Sequence, residues 1–180
     1  MKHGTLILAL LAALLLAPAV WAEPDYASMQ VTPYDPPKPA PALALPDLEG
    51  KTVRLADLKG KVVLVFFWAT WCPDCREELP SVNKIYREFK DQGLEVLLVD
   101  IREGPDLVRR TVKEQGYIAP VLLDQGGDVA GRQWGVWGTP TAYLIDRQGR
   151  LTGMMIGARD WSKPEARRLI ESLLKPFPKS

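Results

Sequence analysis

Trp68-Ala69-Thr70-Trp71-Cys72-Pro73-Asp74-Cys75 carries both cysteines of the 180-residue chain. Two thiols with two residues between them are placed to close a disulfide on themselves. With no third cysteine the chain builds neither a disulfide scaffold nor a four-thiolate zinc site. Two uses remain, a local staple and a redox centre. A staple closing so small a loop constrains little of the unfolded chain and adds little stability. The pair therefore reads as a redox centre.

Upstream, Val62 to Trp68 is an apolar run rich in Val and Phe, as in a strand buried on both faces. Downstream, Leu79, Val82, Ile85, Tyr86 and Phe89 recur at helical spacing, and Gly93 ends the helix. Pro80 inside it predicts a kink. If this helix begins at Cys72, the sulfur lies beside unpaired backbone N–H groups and the positive end of the helix dipole. Both favour the thiolate, the attacking species in exchange. Cys75, one turn in, is then the more buried, resolving thiol, which attacks the mixed disulfide and releases reduced substrate. Asp74 lies between the two cysteines, next to Cys75. Its charge opposes either thiolate while suiting a helix N-terminus. Disfavouring the thiolate makes the couple more reducing, so a reductant is expected.

Further along, Gly50-Lys51 between Leu48 and Val53 reads as the turn of a small N-terminal hairpin. Leu94 to Ile101 reads as a second buried strand, with Pro105 opening a helix after it. Val121 to Leu123 predicts a short strand and Asp128 to Trp134 a short helix. Thr141 to Ile145 and Arg150 to Ile156 flank a hairpin loop at Asp146-Arg147-Gln148-Gly149. A last helix is expected from Ser162, with Glu165 completing a capping box. The order describes an α/β domain with a central mixed sheet flanked by helices.

These features together resemble the thioredoxin fold, and more closely the exported TlpA/ResA-type thiol-disulfide oxidoreductases. The resemblance rests on Leu45-Pro46-Asp47, Leu58-Lys59-Gly60-Lys61, Phe67 to Cys72, Cys75-Arg76 with Glu78-Leu79-Pro80, and Gly135-Val136 with Gly138-Thr139-Pro140-Thr141. It spans Leu45 to Leu174. It implies that Pro140 is cis and faces the cysteine pair, leaving the amide and carbonyl of Thr139 free for an extended substrate. It also implies substrate contacts at Trp71, Pro73, Thr139 and Pro140, and a proton-relaying carboxylate at Glu78. Glu77 has no such counterpart and reads as surface. Cytoplasmic thioredoxins place a buried aspartate where this chain has Phe66, so acid–base work falls to Glu78, water or another carboxylate. Trp71, Trp134 and Trp137 are placed for an apolar rim, with Trp134 and Trp137 equally suited to the core; Trp68 reads as core.

The N-terminus begins with Lys2, an apolar run from Leu6 to Leu16, and Val20-Trp21-Ala22. This predicts a signal peptide at 1–22, with a membrane anchor if uncut, and hence a periplasmic or extracytoplasmic site. Prolines 24, 33, 36, 37, 39 and 41 make 23–44 read as an extended linker ahead of a domain at 45–180. Lys and Arg number 23 against 22 Asp and Glu, without a basic block, so nucleic acid is not an expected partner. A monomer is expected, with no cofactor beyond the cysteine pair.

Two other classes fit less well. A thiol peroxidase needs a threonine where Ala69 stands and a proline between Pro46 and Cys72, and it leaves Pro140 idle. A Cu(I) chaperone has two soft thiolates here, but His3 is the only histidine and goes with the leader. The expected function is an exported disulfide reductase. The resemblance implies protein disulfides as substrates, apocytochrome c among them, and a membrane electron donor of DsbD/CcdA type.

Overall fold

The computed structural model describes residues 24–175; the expected leader lies outside them. Eight strands form in chain order: β1 (Thr32–Pro39), β2 (Ala44–Pro46), β3 (Thr52–Arg54), β4 (Val62–Trp68), β5 (Leu94–Ile101), β6 (Val121–Asp124), β7 (Thr141–Ile145) and β8 (Arg150–Ile156). Three α-helices, α1 (Pro73–Phe89), α2 (Pro105–Gln115) and α3 (Pro164–Leu174), connect or follow them. The main sheet runs β1-β8-β7-β4-β5-β6, and β2 and β3 pair separately as the expected hairpin. Strands β4, β5 and β6 are parallel, whereas β7, β8 and β1 alternate antiparallel. This is the thioredoxin-like α/β fold.

Every residue of β4 is buried, which its unbroken apolar sequence requires of a central strand covered on both faces. Its alternating side chains divide the core. Val62, Leu64, Phe66 and Trp68 pack with Leu79 and Val82 of α1, Val108 of α2, and Leu169 and Leu173 of α3. Val63, Val65 and Phe67 face the opposite side, covered by the β2–β3 hairpin and the segment Ala130 to Val136. All three α-helices thus bury on one face. Among the described residues the second face has only the hairpin and short turns, including a π-helix at Val129–Gln133.

Two expectations need correction. The expected linker at 23–44 is, over its described residues 24–44, packed on the domain. Met29, Val31 and Leu43 are buried, and β1 joins the main sheet on β8, pairing Thr32 with Met154 and Pro39 with Arg150. Composition misleads here because an edge strand is the other place that tolerates prolines: its outer side needs no N–H donors. A register shift between Pro33 and Lys38 takes up the cis Asp35-Pro36 segment. The second correction is the capping box at Ser162. The Ser162 hydroxyl donates to Asp160 at 2.6 Å, and α3 begins at Pro164 with no side-chain cap on Lys163. Asp160 is the nearer acceptor, and proline's fixed φ starts the helix without a cap.

Candidate active site

Helix α1 starts at the cysteine pair, as the pattern predicts. Cys72 is its N-cap and Pro73 its first residue, a position where a missing N–H costs nothing. Cys72 and Cys75 are joined by a disulfide, with their Cα atoms 5.3 Å apart. The Cys75 N–H donates to the Cys72 sulfur at 3.1 Å. That bond and the helix dipole are in place to stabilise negative charge on Cys72 once the disulfide opens. Cys72 is 3% exposed and Cys75 fully buried, the asymmetry expected of an outer and an inner thiol. Pro73 and Asp74 are exposed beside them, as is Glu77.

Glu78 lies one turn beyond Cys75 and is 3% exposed. The Trp161 indole N–H donates to its Oε1 at 2.7 Å, and its buried Oε2 has no partner among the described residues. Burial pushes its carboxyl up to about 7, outweighing the Trp161 hydrogen bond, the Arg159 backbone amide and the Arg159 charge; the nearby Asp74 adds to the rise. A carboxyl poised there exchanges protons at neutral pH. Trp161 escaped the sequence reading. It is a single aromatic ahead of a helix, and only the docking of α3 beside α1 gives it a partner.

The Thr139-Pro140 bond is cis. The β4–β7 ladder ends at the pair Phe67–Thr141, so the cysteine motif and Pro140-Thr139 leave the sheet from the same end. The Thr139 amide and carbonyl make no backbone hydrogen bond among the described residues. Beside them opens a groove of about 370 Å³ that includes Trp71, Thr139 and Trp137 in its walls. Trp71 is 69% and Trp137 93% exposed. Trp134 is instead core, tilted against Phe67 and edge-on to Tyr143 with centroids 5.6 and 5.1 Å away, and Trp68 is core as expected.

A second acidic group near the motif was also missed. Asp100 is fully buried on β5, opposite Trp68 of β4. Burial and the adjoining Glu103 carboxyl push it up to about 8. Glu103 in turn accepts from the Thr70 amide at 2.5 Å and hydroxyl at 2.6 Å, tying β5 to the start of the motif. Both Asp100 oxygens, the Trp68 indole nitrogen and the Tyr117 hydroxyl are buried without partners among the described residues. The signal was in the sequence: a carboxylate inside a strand apolar on both faces is costly and needs a reason. Phe66, where cytoplasmic thioredoxins have aspartate, is fully buried, and Asp100 supplies a buried carboxyl one strand away.

Residues 36–154 match the AhpC/TSA family. Over 120 residues the chain is 40% identical to the thiol-disulfide oxidoreductase ResA of Bacillus thuringiensis, covering 67% of this chain and 69% of that one. The Geobacillus thermodenitrificans ResA is 34% identical over 134 residues, 74% and 75% of the two chains. Among solved structures, a provisionally identified thiol:disulfide interchange protein DsbE from Chlorobium tepidum superposes with a TM-score of 0.71 at 32% identity. That match covers 77% of this chain and 97% of the other. A cysteine pair capping a helix, a thioredoxin-like sheet and these relatives agree: the chain belongs to the AhpC/TSA family, as a thiol-disulfide oxidoreductase of the TlpA/ResA type.

Proposed function

We propose that this oxidoreductase works outside the cytoplasm as a reductant of protein disulfides. The Cys72 sulfur carries the proposal, because it alone of the two thiols lies at the helix end, reaches solvent and receives an N–H bond. In the reduced protein, the Cys72 thiolate attacks one sulfur of a substrate disulfide and expels the other as a thiolate. Cys75 then gives up its proton and attacks the Cys72 sulfur. The protein is left with the Cys72–Cys75 disulfide, and the substrate leaves with two electrons and two protons. Glu78, half-ionised near neutrality, is the group within the helix suited to take the Cys75 proton. Thr139 and Pro140, with Trp71 and Pro73, hold the substrate chain. Asp74 biases the couple toward the disulfide, favouring reduction of substrates.

The leader pattern at 1–22 supports export. Apocytochrome c as a substrate and a membrane donor of DsbD/CcdA type rest on the family resemblance alone. No cofactor is needed beyond the cysteine pair, and a monomer suffices for every step. A Cys75→Ser variant incubated with a disulfide-bonded protein should accumulate a mixed disulfide on Cys72, visible on a non-reducing gel. Cys72→Ser should trap nothing; trapping by Cys72→Ser alone would reverse the roles, and equal trapping by both would refute the assignment of one attacking thiol. The equilibrium potential decides direction: near or below roughly −230 mV supports a reductant, and near about −120 mV makes the protein an oxidant.

A further inference from the structure

The groove beside the cysteine pair has a feature that disulfide exchange does not require. Of the side chains lining it, Arg102 is the one that carries a charge. Its backbone is left-handed, at φ 63°, a conformation that a side-chain-bearing residue adopts only against a steric cost. The turn is held by the Arg102 amide, which donates to the Asp124 carbonyl at 3.0 Å.

The arginine side chain then lies across Gly127. A Cβ at Gly127 would come within 2.4 Å of the Arg102 Nε, and the glycine itself has φ +73°. Glycine is therefore needed there twice, for its backbone and for the arginine lying over it. Among the described residues the Arg102 guanidinium has no hydrogen bond and no ion pair. The nearby carboxylates are committed elsewhere: Glu103 to Thr70, Asp124 to the Ala130 amide, and Asp128 to Arg132. Asp74 lies outside the groove lining.

The exposed indoles of Trp71 and Trp137 line the same groove. Exposed tryptophans that add nothing to the core mark a contact surface. The Thr139 amide and carbonyl, without a backbone hydrogen bond among the described residues, suit an extended main chain.

We propose that this groove is an acid-selecting subsite for substrate polypeptides: Arg102 pairs with an Asp or Glu side chain close to the substrate disulfide, while Trp71 and Trp137 cover an apolar neighbour. The proposal rests on the redox reading above and adds the substrate class. An arginine fork suits a carboxylate because two parallel N–H bonds fit its two oxygens. Groups beyond the disulfide thus choose the partner, and Cys72 performs the exchange.

The test uses three disulfide-bonded peptides that differ at one position, Glu, Gln or Lys, two residues from a cysteine. Each is mixed with the reduced full-length protein, and oxidation of the protein to its Cys72–Cys75 disulfide is followed by stopped-flow tryptophan fluorescence. The expected order is Glu, then Gln, then Lys, with about a tenfold spread between Glu and Lys at low salt that narrows in high salt. Arg102→Gln should shrink the Glu-to-Lys ratio to within about twofold, and Arg102→Lys should keep part of it. Trp137→Ala should slow all three peptides by a similar factor. Wild-type rates equal within twofold across the peptides would overturn the subsite, with the redox reading intact. No reaction with any peptide would bring down the redox reading itself, and the subsite with it.

Discussion

Glu78 offers the sharpest test of how burial sets chemistry in this protein. Its carboxyl is raised from 4.5 to about 7 by loss of water. At about 1.36 kcal/mol per pH unit, that gap corresponds to roughly 3 kcal/mol. Between pH 4.5 and 7 the folded protein holds a proton that the unfolded chain has lost, so folding stability falls as pH rises through this window. Below pH 4.5 the contribution is fully present, and above pH 7 its loss is complete. Glu78→Gln removes the titration but keeps an oxygen to accept from Trp161. Its new NH2 group points where Oε2 is unpartnered, costing about 1–3 kcal/mol at every pH. The informative quantity is therefore the slope. In urea unfolding of the oxidised proteins from pH 4 to 8, wild type should lose about 3 kcal/mol more than the variant. Asp100 titrates in both proteins and cancels. The exchange rate of the variant should also lack a step near pH 7. Parallel stability curves would show that Glu78 is not raised by burial and would remove its assignment as the proton acceptor.

Three further outcomes follow from other contacts. Gly153→Ala places a Cβ 2.5 Å from a methyl of Val31 and should cost about 1–3 kcal/mol by overpacking. Adding Val31→Ala should recover part of it, and a neutral single substitution would mean the segment before β1 is not packed on the sheet. Asp100→Asn removes a buried carboxyl raised from 3.8 to about 8. Stability from this group is present below pH 3.8 and lost as pH rises to 8, so the variant should gain about 2 kcal/mol or more on wild type between pH 5 and pH 9 in thermal melts; an unchanged pH dependence would refute this. Asp74→Asn should make the couple about 10–20 mV less negative, the small effect of an exposed charge. An unmoved potential in a glutathione titration would remove the argument that Asp74 makes the protein a reductant.

Much of this molecule is legible along the chain because its strongest signals are local. The start of α1 at Cys72, the buried β4, and the β2–β3 and β7–β8 hairpins all follow from spacing within a dozen residues. Helix periodicity, strand burial and turn chemistry act at that range. The N-terminal segment was misread because proline density has two physical explanations, and only pairing with β8, more than a hundred residues away, decides between them. The Ser162 capping box failed at close range, where Asp160 competes for the same hydroxyl.

The site divides in the same way. Sequence alone determined the two cysteines, their order along a helix, and the proline that follows in the fold, because thiol chemistry and a missing N–H belong to single residues. It could name Glu78 but not its state, since a carboxyl's proton affinity depends on what surrounds it. Trp161 and the enclosing core arrive only when α3 docks against α1. Asp100 gains its raised pKa from β4 and Glu103, and Arg102 gains its place in the groove from Gly127 and the loop after β6. Reactivity was written in residue types. Tuning and selectivity came from desolvation and from charges brought together across the chain, which only the tertiary structure decides.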